Sequence, residues 1–191
     1  MIKTQILDEE VLVQRVLQKD SEALKELYIH YSGYLTAVCS RYIINREDVR
    51  DILQESFIKI FTQIDKFTYR GVGSLKAWTT RIVVNESLKY IKQVEKISFI
   101  TPTWDLPDRS EDVTPFMENV PIATIHELIR QLPTGYRTVF NLYVFEGKSH
   151  KEIADLLQIG ESASASQLHR AKAMLAREIK ELETKKQLQD G

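Results

Sequence analysis

The stretch that most constrains this chain is Ser149 to Arg177, SHKEIADLLQIGESASASQLHRAKAMLAR. Ser149 is placed to cap a short helix whose apolar positions are Ile153, Ala154, Leu156 and Leu157. A break at Gln158–Gly160 follows, and a second helix then carries Leu168, Ala171 and Leu175 at steps of three and four. Its other face holds Ser162, Ser166, Gln167, His169, Arg170 and Lys172. Two helices joined by a short, glycine-containing turn form the helix-turn-helix pattern. The second helix of such a pair can enter a DNA major groove with short polar side chains toward the base edges. The same spacing also fits an ordinary helical hairpin, so the rest of the chain has to decide between them.

The charge balance limits how nucleic acid could be bound. Net charge is −1 over 191 residues, which excludes a histone-like coat of positive charge, so any such site must be local. With 43% apolar and 28% charged residues the composition is that of a globular protein. The single cysteine, Cys39, lies among apolar residues and reads as a small core residue. The four histidines (His30, His126, His150 and His169) are scattered, and no cluster has metal-ligand spacing. There is no phosphate-cradling glycine loop and no nucleophile elbow. Neither catalytic residues nor a metal or cofactor is expected, and the chain does not read as an enzyme. The N-terminus has no apolar signal core and no run approaches the ~20 apolar residues of a membrane span. The expectation is a cytoplasmic protein without membrane insertion.

Taken in order, the first half of the chain reads as a succession of helices. Leu7 to Lys19 places Leu7, Val11, Leu12 and Val16 at helical spacing. Asp20-Ser21 is placed to cap a second helix running to about Ile44, with Leu24, Leu27, Tyr28, Tyr31, Leu35 and Val38 as its apolar stripe. Asn45 reads as the cap of a third helix, Arg46 to Lys66, with Glu47 and Asp48 in its positive first turn. On a wheel of about 100° per residue, Val49, Ile52, Leu53, Phe57, Ile60 and Ile64 fall on one side. Glu47, Asp51, Gln54, Glu55, Ile58 and Thr62 fall on the other. Such a face is either simply solvated or suited to a protein partner, with Ile58 as its one apolar point.

Phe67 to Gly73 (FTYRGVG) reads as a loop, and Ser74 as the cap of a fourth helix, Leu75 to about Val94. On that helix Ala77, Val84, Leu88 and Ile91 share one arc. Trp78, Arg81, Asn85, Lys89 and Lys92 share another, bordered by Leu75 and Ile82. Between Lys66 and Lys92 six basic residues face one acidic residue, Glu86. Aromatic residues beside a basic stripe suit a nucleic-acid single strand, because bases stack while phosphates are neutralised. A core tryptophan beside a solvated basic face is the alternative.

Residues 96–121 change character: four of the five prolines lie there, and five acidic residues stand against Lys96 and Arg109. This reads as an extended linker, with Phe99, Ile100, Trp104 and Phe116 as possible anchors. Helix returns from Ile122 to Leu132, breaks at Pro133 and resumes from Thr134 to about Phe145, with Val139, Leu142 and Tyr143 facing the helix-turn-helix. The last helix should run past Arg177 into a charged tail that frays.

Four of these blocks, in this order, resemble one family. The Asp51, Gln54, Glu55, Phe57 pattern resembles the polymerase-binding helix of bacterial sigma factors. Tyr69 to Asn85 (YRGVGSLKAWTTRIVVN) is similar to their −10 element segment, in the short two-domain class called extracytoplasmic-function (ECF) sigma factors. Leu132 to Leu157 resembles the start of their domain 4, and Gln167 to Leu175 its recognition helix. The chain departs from the family pattern at Gln158, where glycine is usual, and at Gly160, where a Ser or Thr cap is usual. Ala165 replaces a common basic residue, Ser164 an inward apolar one, and Lys89 an aspartate.

The resemblance to the sigma-70 family implies an all-α fold of two helical domains. Residues 1–95 would form sigma domain 2, residues 96–121 a linker, and residues 122–191 sigma domain 4. It implies a transcription initiation factor that binds core RNA polymerase and directs it to promoter DNA. Polymerase would be bound through Asp51, Gln54, Glu55 and Ile58. A melted −10 strand would be held by Phe67, Tyr69, Arg70, Trp78, Arg81, Asn85, Lys89 and Lys92. A duplex −35 element would be read by Ser162, Ser166, Gln167, His169, Arg170 and Lys172. The acidic linker would thread the polymerase cleft, and an anti-sigma factor would be a further partner. The main rival is a two-domain helix-turn-helix regulator that does not act as a sigma factor, which would leave the acidic helix and the basic stripe without a role. An all-helical adaptor that binds only proteins is opposed by the basic stripe near Asn85.

Overall fold

Side chains that accept from free N–H groups set where the first three helices begin. The structure is a computed structural model and describes residues 8–94 and 120–189. Among these residues there is helix and no strand, in two units that divide between Val94 and Glu95. The first unit holds α1 (Glu9–Leu17), α2 (Ser21–Tyr42), α3 (Arg46–Gln63), a 3-10 turn at Ile64–Lys66, and α4 (Ser74–Val94). Asp8 accepts from the N–H groups of Glu10 and Val11, Asp20 from Glu22 and Ala23, and Asn45 from Glu47 and Asp48. Each such cap is worth about 1 kcal/mol against alanine.

The faces of α2, α3 and α4 close on one another around Leu27, Leu35, Tyr42, Ile60, Leu75 and Ile91, all fully buried. Burying a side chain of this kind contributes roughly 1.5–3 kcal/mol, so apolar burial drives the assembly of the unit. Cys39 sits within this core with its Sγ 3.6 Å from Ser87 Oγ. Burial pushes its thiol up to about 11, while the Ser87 hydroxyl pulls the other way.

Several positions differ from the sequence-based assignment. Helix α1 begins at Glu9, and Leu7 lies outside the described residues. Val11 points away from the core at 52% exposure, and Val13 is buried instead. On α1 the buried set is Glu9, Leu12, Val13 and Val16, and Val11 lies on the far side of that arc. Leu24 and Tyr28 sit at the edge of the α2 stripe and stay partly exposed, with Tyr28 packed over Phe57 at 4.7 Å between centroids. Ala77 is exposed at the rim of the α4 arc, whereas Leu75 is fully buried.

Ser74 is not the cap of α4. It is the first helical residue, and its hydroxyl accepts from the Arg70 N–H at 3.2 Å. The helix opens with the Ala77 N–H bonded to the Gly73 carbonyl. The side-chain oxygen at this helix end comes from Glu9: its Oε2 accepts from the N–H of Gly73 at 2.9 Å and of Leu75 at 3.4 Å. The Tyr31 hydroxyl donates to the other carboxylate oxygen at 2.8 Å.

The second unit holds α5 (Ile122–Gln131), α6 (Thr134–Val144), α7 (His150–Leu157) and α8 (Glu161–Gln189). The break at Pro133 is where the sequence places it. The expected linker, residues 96–121, lies almost wholly outside the described residues. Helix α8 runs past Arg177 as expected, and the charged tail expected to fray continues as one helix to Gln189. Leu168, Ala171, Leu175 and Ile179 of α8 are buried with Val139 and Leu142 of α6 and Ile153 and Leu157 of α7. The buried Arg137 joins α6 to the end of α5. Its guanidinium donates to the carbonyls of Leu132 (2.8 Å) and Arg130 (3.2 Å) and to Thr134 Oγ1 (3.2 Å). A cation there complements the negative end of α5.

Ser149 caps α7 as expected, and Glu152 completes a capping box by accepting from the Ser149 N–H. The Lys148 ammonium and this box hold the Glu152 carboxyl down to about 2. At the other end of α7, Gln158 takes a left-handed conformation (φ 58°, ψ 47°). The Ile159 N–H then returns to the Ala154 carbonyl at 3.1 Å. This is the position where glycine commonly ends a helix. Gln158→Gly should therefore stabilise the second unit by about 0.5–1 kcal/mol, since the left-handed strain outweighs the chain entropy glycine adds. Urea unfolding of the two proteins would measure this, and a lower midpoint for the glycine variant would contradict it.

Candidate nucleic-acid interface

Three surfaces emerge from these helices. On α3 the inward side chains Val49, Ile52 and Ile60 are buried, which turns Asp51, Gln54, Glu55 and Ile58 outward on successive turns. Ile58 is 50% exposed among acids and amides. Beyond the residues named from sequence, Tyr28 of α2 adds a half-exposed aromatic ring beside Phe57, which in turn meets Phe61 at 5.9 Å. Its exposure follows from its place at the edge of the α2 stripe, which the wheel alone does not separate from the buried centre.

The second surface joins the loop after the 3-10 turn to the outer face of α4. Phe67 and Trp78 bring their rings to 5.3 Å at a 44° tilt, and both are partly exposed. Arg81, Asn85, Lys89 and Lys92 are exposed along one side of α4, and from Arg81 to Lys92 this side extends about 17 Å. Glu86 is turned off it and ion-paired to Lys59 of α3, so the outer face carries only cations and one amide between the aromatic pair and its far end. Arg70 is exposed and Tyr69 half-buried. Partial desolvation, then the carboxylates of Glu10, Asp8 and Glu9, raise the Tyr69 phenol. At the loop tip Val72 is 95% exposed between Gly71 and Gly73, which both take positive φ (108° and 87°). A valine so placed has no core role; its isolation between two glycines was the one sequence signal for it.

The third surface is the outer side of α8. Ser162, Ser166 and His169 are exposed there, one turn apart, with Lys172 and Arg170 half-buried beside them. Arg170 Nη1 reaches the Tyr136 hydroxyl of α6 at 3.4 Å, which anchors one edge of the guanidinium. Gln167 does not join this group. It is 7% exposed and lies in the buried row of Ser164, Leu168 and Ala171, because its position falls between two inward-facing turns. Ser164 takes the place of an apolar contact by polar means: its hydroxyl lies 3.0 Å from His150 Nδ1, and the His150 ring stacks on Tyr143 at 4.8 Å. Tyr143 thus reaches the helix-turn-helix through His150 while remaining 39% exposed. Among the described residues no group of His, Cys, Asp and Glu could hold a metal ion, and no helix is long and apolar enough to cross a membrane.

The two units match two regions of one family. Residues 27–97 match Sigma-70 region 2 and residues 122–175 match Sigma-70, region 4. The ECF RNA polymerase sigma-E factor of Haemophilus influenzae is 29% identical over 189 residues, covering 92% of this chain and 97% of that protein. The RNA polymerase sigma-H factor of Pseudomonas aeruginosa is 26% identical over 182 residues, covering 90% and 93%. The solved structure of CnrH in complex with the cytosolic domain of CnrY is similar at 21% identity and a TM-score of 0.47, covering 90% of this chain and 97% of that one. With both regions present in order and relatives matched nearly end to end, this chain belongs to the sigma-70 family, as a non-enzymatic ECF sigma factor of transcription initiation.

Proposed function

We propose that the two units divide promoter recognition between them. The first, residues 1–95, binds core RNA polymerase through α3 and takes up the −10 element as a melted single strand. The second, residues 122–191, reads the −35 element as duplex. The observation that carries this reading is the outer face of α4, where an aromatic pair, an exposed amide and a run of cations lie in line with no acid among them. A duplex offers no base faces to such a surface, whereas a melted strand offers both bases to stack and phosphates to neutralise. Asn85 can pair bidentately with a base edge. Flipping a base costs a few kcal/mol and stacking returns ~1–3 kcal/mol per base, so the balance is close and polymerase contacts help tip it.

Polymerase binding rests on Asp51, Gln54, Glu55 and Ile58, whose exposure supports a partner that meets a polar face around one apolar point. An anti-sigma factor would compete for the same faces. The site of action is the cytoplasm, where core polymerase is found. For the −35 element, Ser162, Ser166, His169, Arg170 and Lys172 remain the reading and phosphate-gripping set, without the buried Gln167.

Two experiments test this division. Gln54→Ala combined with Ile58→Asp should weaken core polymerase binding at least tenfold while helicity stays that of the wild type. Wild-type affinity in a titration with core polymerase would remove α3 from the interface. Arg170→Ala should weaken binding to duplex −35 DNA. If the contact is to phosphate, the salt slope should fall by about one. If it is to a base, preference at one position should relax. Tyr136→Phe removes the intramolecular bond but leaves the guanidinium, so it should bind duplex as the wild type does. Equal losses in both variants would make Arg170 a packing residue.

A further inference from the structure

We propose that Glu9 is the positioning residue for the strand-capturing loop. Glu9 acts from a different helix, 64 residues from the loop. It rests on the reading that the loop 67–73 and α4 take up a melted strand, and it adds a part that neither the family resemblance nor the basic stripe supplies.

A carboxylate is costly to bury unless its oxygens are occupied. Glu9 is 8% exposed, and both of its oxygens are used. Oε1 takes the Tyr31 hydroxyl of α2 at 2.8 Å, and Oε2 takes the Gly73 and Leu75 N–H groups at the start of α4. Helix α4 has no acidic residue in its own first turn, so its positive end and free N–H groups would otherwise be without a local acceptor of this charge. Glu9 supplies it. Burial, followed by the bond to Glu9, holds the Tyr31 phenol well above its usual range, so Tyr31 remains a donor at any working pH.

The loop is tied down from the same place. Gly73 takes φ 87° and donates to Glu9; Ser74 donates to the Gly71 carbonyl at 3.1 Å and accepts from Arg70 at 3.2 Å. The Gly73 bond to Glu9 sets the end of the loop beside the start of α1. The residues offered to a strand, Phe67, Tyr69 and Arg70, thus hang from a turn whose far end Glu9 grips. Release of that grip frees the Gly73 and Leu75 N–H groups and the two glycine dihedrals. The loop then samples more conformations, and the strand must order it on binding. Core polymerase binding through α3 and duplex binding through α8 do not depend on that turn.

The test uses the full chain assembled with core RNA polymerase. The probe is a labelled single-stranded oligonucleotide covering the −10 segment of a promoter that the assembled holoenzyme transcribes. Glu9→Ala should lower affinity for this strand at least tenfold. Glu9→Gln retains an acceptor but not the charge-assisted bonds; it should lower affinity about threefold and speed amide exchange at Gly73 and Leu75. Core polymerase affinity and duplex −35 binding should match the wild type in both. If Glu9→Ala does not fold, Glu9→Gln carries the test through strand affinity and amide exchange together. A folded variant with wild-type strand affinity overturns the proposal. So does a loss of core polymerase binding in step with strand binding, which would make Glu9 a general stabiliser. A wild-type holoenzyme that does not take up the strand overturns instead the underlying reading of α4, and this proposal with it.

Discussion

Helix ends drawn into a protein interior must find partners for their unsatisfied N–H and C=O groups, and this chain meets that demand with charge at two decisive places. In the first unit the Glu9 carboxylate answers the start of α4; in the second the Arg137 guanidinium answers the end of α5. Each charge is opposite in sign to the helix end it meets. Each is also buried, so its bonds are stronger and its loss more costly than on the surface. The first joint sets the start of α4, which carries one of the outward faces; the second ties α6, on which α8 packs, to the end of α5. Apolar burial supplies the larger share of the stability, but it is non-directional and would tolerate many small rotations of α4 or α6.

The fold also explains why the surfaces are separate. Each of α3, α4 and α8 spends one side on its core, and the opposite side is left with a consistent chemistry: acid, amide and isoleucine on α3, aromatic and cation on α4, hydroxyl and imidazole on α8. The pairing of Glu86 with Lys59 contributes to that consistency, because it withdraws the lone acid of the basic stretch toward α3. Net charge near zero overall therefore coexists with a face that carries positive charge alone.

Helix positions were legible in the sequence because their signals are local. Asp20, Asn45 and Ser149 stand directly before apolar periodicity and cap as their chemistry dictates. The exposed residues of α3 and α4 were legible for the same reason, since a wheel separates opposite faces well. It does not separate edge from centre, which is why Ala77 and Tyr28 lie further out than expected and Gln167 further in. Partners distant in the chain left no trace. Ser74 carried the pattern of a cap, yet the acceptor is Glu9, and nothing near Arg137 marked it as buried. Ser164 looked like a weakened core position and instead bonds His150, a pairing that only the closed helix-turn-helix brings together.

The central claim is that α4 meets a melted strand while α8 meets duplex. It is tested most directly by mapping where each helix lies on a promoter bound by the holoenzyme. A photo-crosslinker can be placed at position 81 of α4 or position 169 of α8, and the crosslinked nucleotides read by primer extension. Crosslinks from position 81 are expected only on the unpaired strand within the −10 bubble, and those from position 169 only on paired DNA at the −35 element. Crosslinks from position 81 to paired DNA outside the bubble, or from both positions to one segment, would contradict the claim.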